Sequence, residues 1–154
     1  MLSHCSKSFF ILYFIYELNF KRVRMVGTFK IITLAASLEE KIVDLENDYF
    51  NDSGSIKVSD ATLHCWKHGG HGQQTYLEVV ENSCNPGFVN LGLKLGTEKL
   101  NSYIKNFGFG VKTGVDLNGE ASGILFNPNT MSILNTATTA FGQGVSVTAI
   151  HLTV

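Results

Sequence analysis

The sequence predicts one mixed domain of helices and short strands in which helices dominate. Its 154 residues suggest a single domain and suffice for an apolar core without disulfide or metal staples. From residue 28 onward, apolar stripes at helical spacing alternate with turn signals. Charged residues make up only 16% of the chain and the net charge is -1, so the composition indicates neither a disordered chain nor a nucleic-acid-binding protein.

The first helix is predicted from Thr28 through residue 39 or 40. Thr28 supplies a capping hydroxyl, and apolar residues at helical spacing follow it: Phe29, Ile32, Ala35, Ala36 and Leu38. Residues 51–55 have the composition of a turn. Apolar and polar residues then alternate over 56–58, which predicts a short strand.

Two more helices are predicted around residue 85. Thr75 and Glu78 have the spacing of a capping box, which predicts a short helix ending at about Asn82. The pair Asn85 and Pro86 then fits a cap followed by proline at the first helical position, where the missing N–H does no harm.

The last predicted helix of the central region has Thr97 as its cap and Gly108 as its terminator. Residues 111–128 are rich in turn residues and are expected to be extended. Thr148 could cap a further helix, close to the end of the sequence.

Residues 1–26 differ in character from the rest of the chain. They are aromatic and basic and have no regular pattern, and the apolar run at 9–16 is too short to span a bilayer. The run also lacks a small-residue cleavage site, so it is a poor signal peptide. A membrane-interface anchor and an incidental apolar stretch both stay open for it. Localisation is undetermined, because the sequence shows neither a clear transmembrane anchor nor a signal peptide. The redox compartment is also undetermined, because the three cysteines are odd in number and irregularly spaced.

Four separated motifs carry a resemblance to a known family. They are GTFKIIT at 27–33, NSCNPG at 82–87, FGFG at 107–110 with TGVDL at 113–117 and GE at 119–120, and FGQGVSVT at 141–148. In order and spacing they resemble the transpeptidase domain of class B penicillin-binding proteins, and residues 65–72 most resemble a sporulation branch of that family. The resemblance covers 27–154 and leaves 1–26 as a segment outside the family.

The fold that this resemblance implies is an α/β (α+β) domain of the penicillin-binding-protein and serine β-lactamase type. The chain would hold its mainly helical N-terminal part and an incomplete sheet. Helices that normally pack on the rest of the sheet would expose apolar faces, which predicts association or low stability in isolation.

The chemistry of the family is acyl transfer from a D-Ala-D-Ala stem peptide of peptidoglycan through an active-site serine, which penicillin also acylates. A lysine three residues after the serine helps to remove its proton, and a Ser-x-Asn motif relays protons and orients the substrate. The resemblance assigns Lys30 to the lysine, and Ser83 and Asn85 to the second motif. It implies no cofactor and no metal.

The sequence departs from the family at the serine position, which is occupied by Gly27. Thr28 is expected to face away from Lys30, because a two-residue step turns a helix by about 200°. The tripeptide at 112–114 spells the family's Lys-Thr-Gly motif, but it lies where the family has a connecting segment. The resemblance implies that the functional copy would come after Val154. We therefore expect no acylation by this chain alone.

A second group of chemically active residues comprises His64, Cys65, His68 and His71. Their spacing matches no standard zinc signature, and glycines at 69, 70 and 72 surround His71, so a loop is favoured over a metal site. The neighbouring Trp66 is expected to bury its ring as a packing anchor.

Three functions are compatible with the sequence. The favoured one is a truncated, inactive peptidoglycan transpeptidase whose intact relatives act on stem peptides and bind β-lactams. The alternative is a non-catalytic module that binds peptidoglycan, or a division or sporulation protein, at the membrane surface. A small membrane protein with the remainder as an appendage is the third. None of them involves nucleic acid.

Overall fold

The computed structural model describes residues 23–24, 27–115 and 120–148, with backbone only for 23–24. Across these ranges the helices are α1 (Lys30–Glu39), α2 (Tyr76–Glu81), α3 (Asn85–Leu95), α4 (Thr97–Asn106) and α5 (Ile133–Ala140). The strands are β1 (Val23–Arg24), β2 (Tyr49–Asp52), β3 (Ser55–Val58), β4 (Ala61–His64), β5 (Gly72–Thr75) and β6 (Ser146–Val147). This mixture of helices and short strands confirms the predicted fold class. The expectations for 1–22 and for a helix after Thr148 lie outside the described residues.

The described strands form three separate antiparallel pairs, β1 with β6, β2 with β5, and β3 with β4. The β2–β5 pair places Asp52 opposite Gly72, and β5 was not predicted from the sequence. The predicted turn over 51–55 is wrong in extent, because β2 continues to Asp52 and β3 begins at Ser55. The turn is therefore confined to 53–54, and the predicted strand at 56–58 lies within β3.

Helix α2 begins with the predicted capping box. Thr75 Oγ1 accepts from the backbone N–H of Glu78 at 3.2 Å, and the Glu78 carboxylate accepts from the backbone N–H of Thr75 at 2.7 Å. Each side chain thus satisfies a backbone donor that the helix leaves without a partner.

The starts of three helices differ from the prediction. Thr28 does not cap α1, whose first residue is Lys30 and whose N-cap is Phe29. Thr97 is the first residue of α4 rather than its cap, and its hydroxyl bonds with Thr136 Oγ1 at 2.7 Å. Asn85 and Pro86 are the first and second residues of α3, so the side chain of Asn85 is available for a partner elsewhere.

The core is organised around α3, which contributes to two buried apolar clusters. One contains Phe29, Ile32, Ala36, Leu95, Leu100, Ile104, Phe109, Ala140, Val145 and Val147. The other contains Val43, Val58, Tyr76, Val79, Cys84, Phe88, Val89, Leu91, Ala137 and Phe141. Helix α5, which was not predicted, packs closely on α3, since a Cβ added at Gly92 would lie 2.3 Å from Ala140 Cβ. No helix within the described ranges is long and apolar enough to cross a membrane.

Candidate active site

Lys30 lies buried in the first turn of α1 and reaches the loop that joins α2 to α3. Its Nζ donates to the backbone oxygen of Ser83 at 2.7 Å, to Ser83 Oγ at 2.9 Å and to Asn85 Oδ1 at 2.7 Å. An ammonium group has three hydrogens to donate, so the three acceptors match its capacity. We call Lys30, Ser83 and Asn85 the Lys30 cluster. It brings together all three residues that the sequence assigned to the site.

The local chain path explains how Ser83 and Asn85 come to face the same amine. Helix α2 ends at Glu81, and Ser83 takes a left-handed conformation with φ of +49° that few residues other than glycine adopt. Its backbone N–H donates to Val80 O at 3.0 Å, which closes the helix end. Two residues later α3 begins at Asn85, so the serine and the asparagine lie on either side of Cys84.

Burial changes the acid–base behaviour of Lys30. Its side chain loses water, which lowers the pKa of the amine from 10.5 to about 8, while the nearby thiols of Cys84 and Cys65 oppose the shift. The amine also lies 5.2 Å from the centre of the Phe88 ring. A lysine with this pKa has a substantial neutral fraction near physiological pH and can accept a proton there.

The position three residues before Lys30 carries no side chain. Gly27 has φ of +106°, a conformation that favours glycine, and a Cβ built there would have no atom within 4 Å. Its carbonyl accepts from the Lys30 backbone N–H at 3.2 Å. Thr28 is exposed, and the hydrogen bonds of Lys30 Nζ go to Ser83 and Asn85. The Lys30 cluster therefore has proton-transfer groups beside a position that lacks a hydroxyl.

The tripeptide at 112–114 forms a turn around a buried carboxylate. Glu120 accepts from the Thr113 backbone N–H and hydroxyl, both at 2.6 Å, and from the Gly114 N–H at 3.2 Å. Lys112 itself is exposed. These contacts engage Thr113 and Gly114 in hydrogen bonds within the fold.

A second buried cluster adjoins the first. Asp52 Oδ2 lies 2.9 Å from His71 Nδ1 and accepts from Cys84 Sγ at 3.3 Å, and Cys65 Sγ lies 3.5 Å from His71 Nδ1. We call Asp52, Cys65, His71 and Cys84 the Asp52 cluster. Because Cys84 lies between Ser83 and Asn85, the two clusters share one segment of chain.

The close approach of two turns builds the Asp52 cluster. A Cβ at Gly70 would lie 2.2 Å from Asp52 O, and the φ of Gly70 is +79°, so this position requires glycine. The next residue, His71, donates its backbone N–H to Asp52 Oδ2 at 3.0 Å. Of the four residues that the sequence grouped together, Cys65 and His71 join this cluster, whereas His64 and His68 are exposed.

The charge in the Asp52 cluster sits on Asp52. Burial alone would raise the pKa of its carboxyl group, but hydrogen bonds from Cys65, His71, Gly54 and Cys84 outweigh it and lower the pKa to about 2. Burial raises the pKa of Cys84 to about 12, so its thiol keeps its proton at neutral pH. His71 Nε2 is buried without a hydrogen-bond partner.

The donor atoms of the Asp52 cluster could hold a metal ion. One nitrogen, one carboxylate oxygen and two sulfurs all lie within 4.8 Å of one another. This set and spacing fit a four-coordinate site for a divalent ion such as Zn²⁺. Binding of the ion would require the two thiols to lose their protons. The sequence gives no sign of this grouping, because Asp52 and Cys84 are separated along the chain from Cys65 and His71 and carry no spacing signal.

Solved structures with the same fold confirm the architecture. A peptidoglycan glycosyltransferase from Burkholderia ambifaria matches with a TM-score of 0.82 at 21% identity, over 88% of this chain and 42% of that chain. Penicillin-binding protein 3 from Mycobacterium tuberculosis, complexed with aztreonam, matches with a TM-score of 0.80 at 28% identity, over 89% and 30%. The described residues thus have the fold of a penicillin-binding-protein transpeptidase domain.

Sequence comparison places the chain within that family. The family model described as penicillin binding protein transpeptidase domain matches residues 21–153, and the chain belongs to this family. Stage V sporulation protein D of Bacillus subtilis is 66% identical over 125 residues, or 81% of this chain and 19% of the relative. Penicillin-binding protein PbpB of Mycobacterium tuberculosis is 30% identical over 128 residues, again 19% of its length. The chain therefore spans about a fifth of these relatives.

Proposed function

We propose that this chain is a portion of a peptidoglycan D,D-transpeptidase that keeps the proton-transfer groups of the site and lacks the nucleophile. The observation that supports this most directly is the Lys30 cluster itself. The amine, the hydroxyl and the amide are joined by hydrogen bonds of 2.7 to 2.9 Å, while Gly27 stands where the family has its serine.

The missing step follows from the chemistry of acyl transfer. In an intact site, the serine oxygen attacks the peptide or lactam carbonyl and its proton passes to a neighbouring base; the C–N bond then breaks as a proton is delivered to the departing nitrogen. Lys30, with its pKa lowered to about 8, suits the role of that base. Gly27 offers no oxygen to form the ester bond. We therefore expect the cluster to bind and exchange protons without forming an acyl-enzyme.

Labelled penicillin tests this proposal. The purified chain is incubated with excess reagent and examined by intact mass, with the intact B. subtilis relative as positive control. We expect no adduct on the parent chain. A penicilloyl adduct on any residue of the parent chain would overturn the proposal.

A Gly27→Ser variant extends the test. A serine at this φ of +106° is strained, and the Lys-Thr-Gly tripeptide of the described residues is engaged in the turn around Glu120. We therefore expect this variant to remain unacylated as well. Acylation of the variant alone would show that the hydroxyl was the sole missing group.

A binding module is the second candidate, and one surface favours it. A cavity of about 630 Å³ is lined by apolar side chains including Phe109, Leu125 and Phe126. Val111 and Ile124 also line it, and they are 59% and 50% exposed. Apolar patches of this kind mark interaction surfaces. Retention on purified peptidoglycan, with Val111→Ser and Ile124→Ser as surface variants, tests this alternative, and no retention above background would remove it.

A further inference from the structure

Trp66 is anchored by its polar atom while its ring is exposed. The prediction that it buries its ring is wrong, since 65% of the residue is accessible. Its indole N–H nevertheless donates to Asn82 O at 2.9 Å, and its ring meets the His71 ring edge to face with centroids 5.4 Å apart. Burial of apolar area therefore does not explain why the Trp66 side chain is held in this place. The role of its hydrogen bond to Asn82 O has to be sought in what that bond does to the loop.

The carbonyl that Trp66 holds belongs to the peptide unit that leads into Ser83. On the other side of the same peptide plane, the Ser83 N–H donates to Val80 O at 3.0 Å. The plane is thus fixed at both its oxygen and its nitrogen. This matters because Ser83 has φ of +49°, a strained conformation that surrounding contacts must hold.

In this conformation of the loop, Ser83 presents both of its oxygens to Lys30. Its backbone oxygen and its Oγ both accept from Lys30 Nζ. Two residues further on, Asn85 Nδ2 donates to His64 O at 3.3 Å, so the end of β4 contacts the same loop at a second point. The segment 64–66 therefore supports the outer side of the loop, and Lys30 holds its inner side.

We propose that Trp66 is a positioning residue for Ser83, and that its indole N–H fixes the Asn82–Ser83 peptide plane and so places Ser83 Oγ against Lys30 Nζ. The inference rests on the proposed function of the Lys30 cluster. It concerns the hydrogen-bond donor of Trp66 rather than the apolar area of its ring.

Two substitutions separate the donor from the ring. Trp66→Phe keeps an aromatic ring and removes the N–H. Trp66→His keeps a five-membered ring whose Nε2–H occupies the position of the indole N–H, and it removes the larger part of the ring. Tyr49→Phe is a matched control, because Tyr49 is 61% exposed on β2 and contributes to neither cluster.

The readout is the titration of Lys30, followed by NMR of the side-chain carbons of labelled lysine, with Lys30→Arg assigning the signal. In Trp66→Phe the loop is free to relax and the amine becomes hydrated. Because desolvation is the main cause of its lowered pKa, we expect the midpoint to rise from about 8 towards 10.5. A rise of one pH unit would reduce the neutral fraction at pH 8 about fivefold.

Trp66→His and Tyr49→Phe should titrate like the parent chain. An unchanged midpoint in Trp66→Phe overturns the inference, as does an equal rise in both Trp66 variants, which would assign the effect to the ring. A parent midpoint at the ordinary lysine value would instead count against the Lys30 cluster as a proton-transfer site. The titration uses no penicillin, so the acylation experiment tests the proposed function separately.

Discussion

The two buried clusters share the segment 83–85, but they treat charge in opposite ways. In the Asp52 cluster the surroundings donate to a carboxylate, and the lowered pKa of Asp52 means that its charged form is favoured. In the Lys30 cluster the lowered pKa of the amine means that its charged form is disfavoured. The fold thus stabilises a fixed anion in one cluster and retains a reactive amine in the other.

This difference separates a structural role from a chemical one. A charge that is fully hydrogen-bonded ties together the elements that donate to it, here β2, the loop before β5 and the start of α3. A desolvated amine costs stability and is typical of sites that move protons. We therefore expect the Asp52 cluster to contribute more to folding than the Lys30 cluster.

The largest expected effect is the loss of Asp52. Asp52→Ala leaves the donors of His71 and Cys84 buried without an acceptor, and we expect it to lower the free energy of unfolding by about 3 kcal/mol. Lys30→Met replaces a buried charge by an apolar chain of similar length, and we expect a change below about 1 kcal/mol. Urea unfolding at neutral pH measures both.

Asp52→Asn is the matched control for the first variant, because it keeps the volume and one acceptor oxygen. We expect the loss of unfolding free energy in Asp52→Asn to lie between those of Asp52→Ala and Lys30→Met. If Asp52→Ala does not fold, Asp52→Asn is the variant to compare with Lys30→Met. Equal losses for Asp52→Asn and Lys30→Met would contradict the difference between the clusters.

Zinc sharpens the comparison, because the Asp52 cluster has metal-binding donors and the Lys30 cluster does not. At a Zn²⁺ concentration of about 100 times Kd, we expect the free energy of unfolding to rise by about 2.7 kcal/mol. Removal of the ion with EDTA should reverse the gain. Thermal unfolding and calorimetric titration measure the effect.

Variants locate the zinc effect. The double variant Cys65→Ser and Cys84→Ser should lose the zinc-dependent rise in unfolding free energy, whereas Lys30→Met should keep it. The pair His64→Ala and His68→Ala is the matched control, because both histidines are exposed and lie outside the cluster. A gain that disappears in this control instead would show that zinc binds at the surface.

The sequence predicted the Lys30 cluster but not the Asp52 cluster, for a physical reason. Lys30, Ser83 and Asn85 were assigned through the family resemblance, which is carried by short motifs that are each contiguous in the sequence. The members of the Asp52 cluster meet through the β2–β5 pairing and the contact of Gly70 with Asp52 O. Nothing in the local pattern around Asp52 indicates such a contact.

The same contrast holds for the fold. The capping box of α2 is a local signal, and it was predicted correctly. Helix α5 was missed because its sequence is rich in threonine, which has low helix propensity, and its packing against α3 compensates for this. Trp66 was expected to be buried on composition alone, yet it is exposed, donates a hydrogen bond to Asn82 O and contacts the His71 ring.

The smallest effect is a difference in alkaline pH dependence between the clusters. The folded pKa of Lys30, about 8, lies below its unfolded value of 10.5, so the unfolded chain binds more protons between these pH values. Lys30 therefore makes stability rise as pH increases from about 8. The folded pKa of Cys84, about 12, lies above its unfolded value of 9.0, so stability that its thiol contributes is lost as pH rises above 9.

Difference measurements isolate each contribution. Between about pH 7.5 and pH 9.5, we expect the free energy of unfolding of the parent chain to gain on the order of 1 to 2 kcal/mol relative to Lys30→Met. Over the same interval the parent should decline relative to Cys84→Ala, because that variant has no thiol to deprotonate on unfolding. The opposite signs follow from an amine whose charge the fold disfavours and a neutral thiol that the fold protects. Equal signs in the two differences would show that the clusters do not differ in this way.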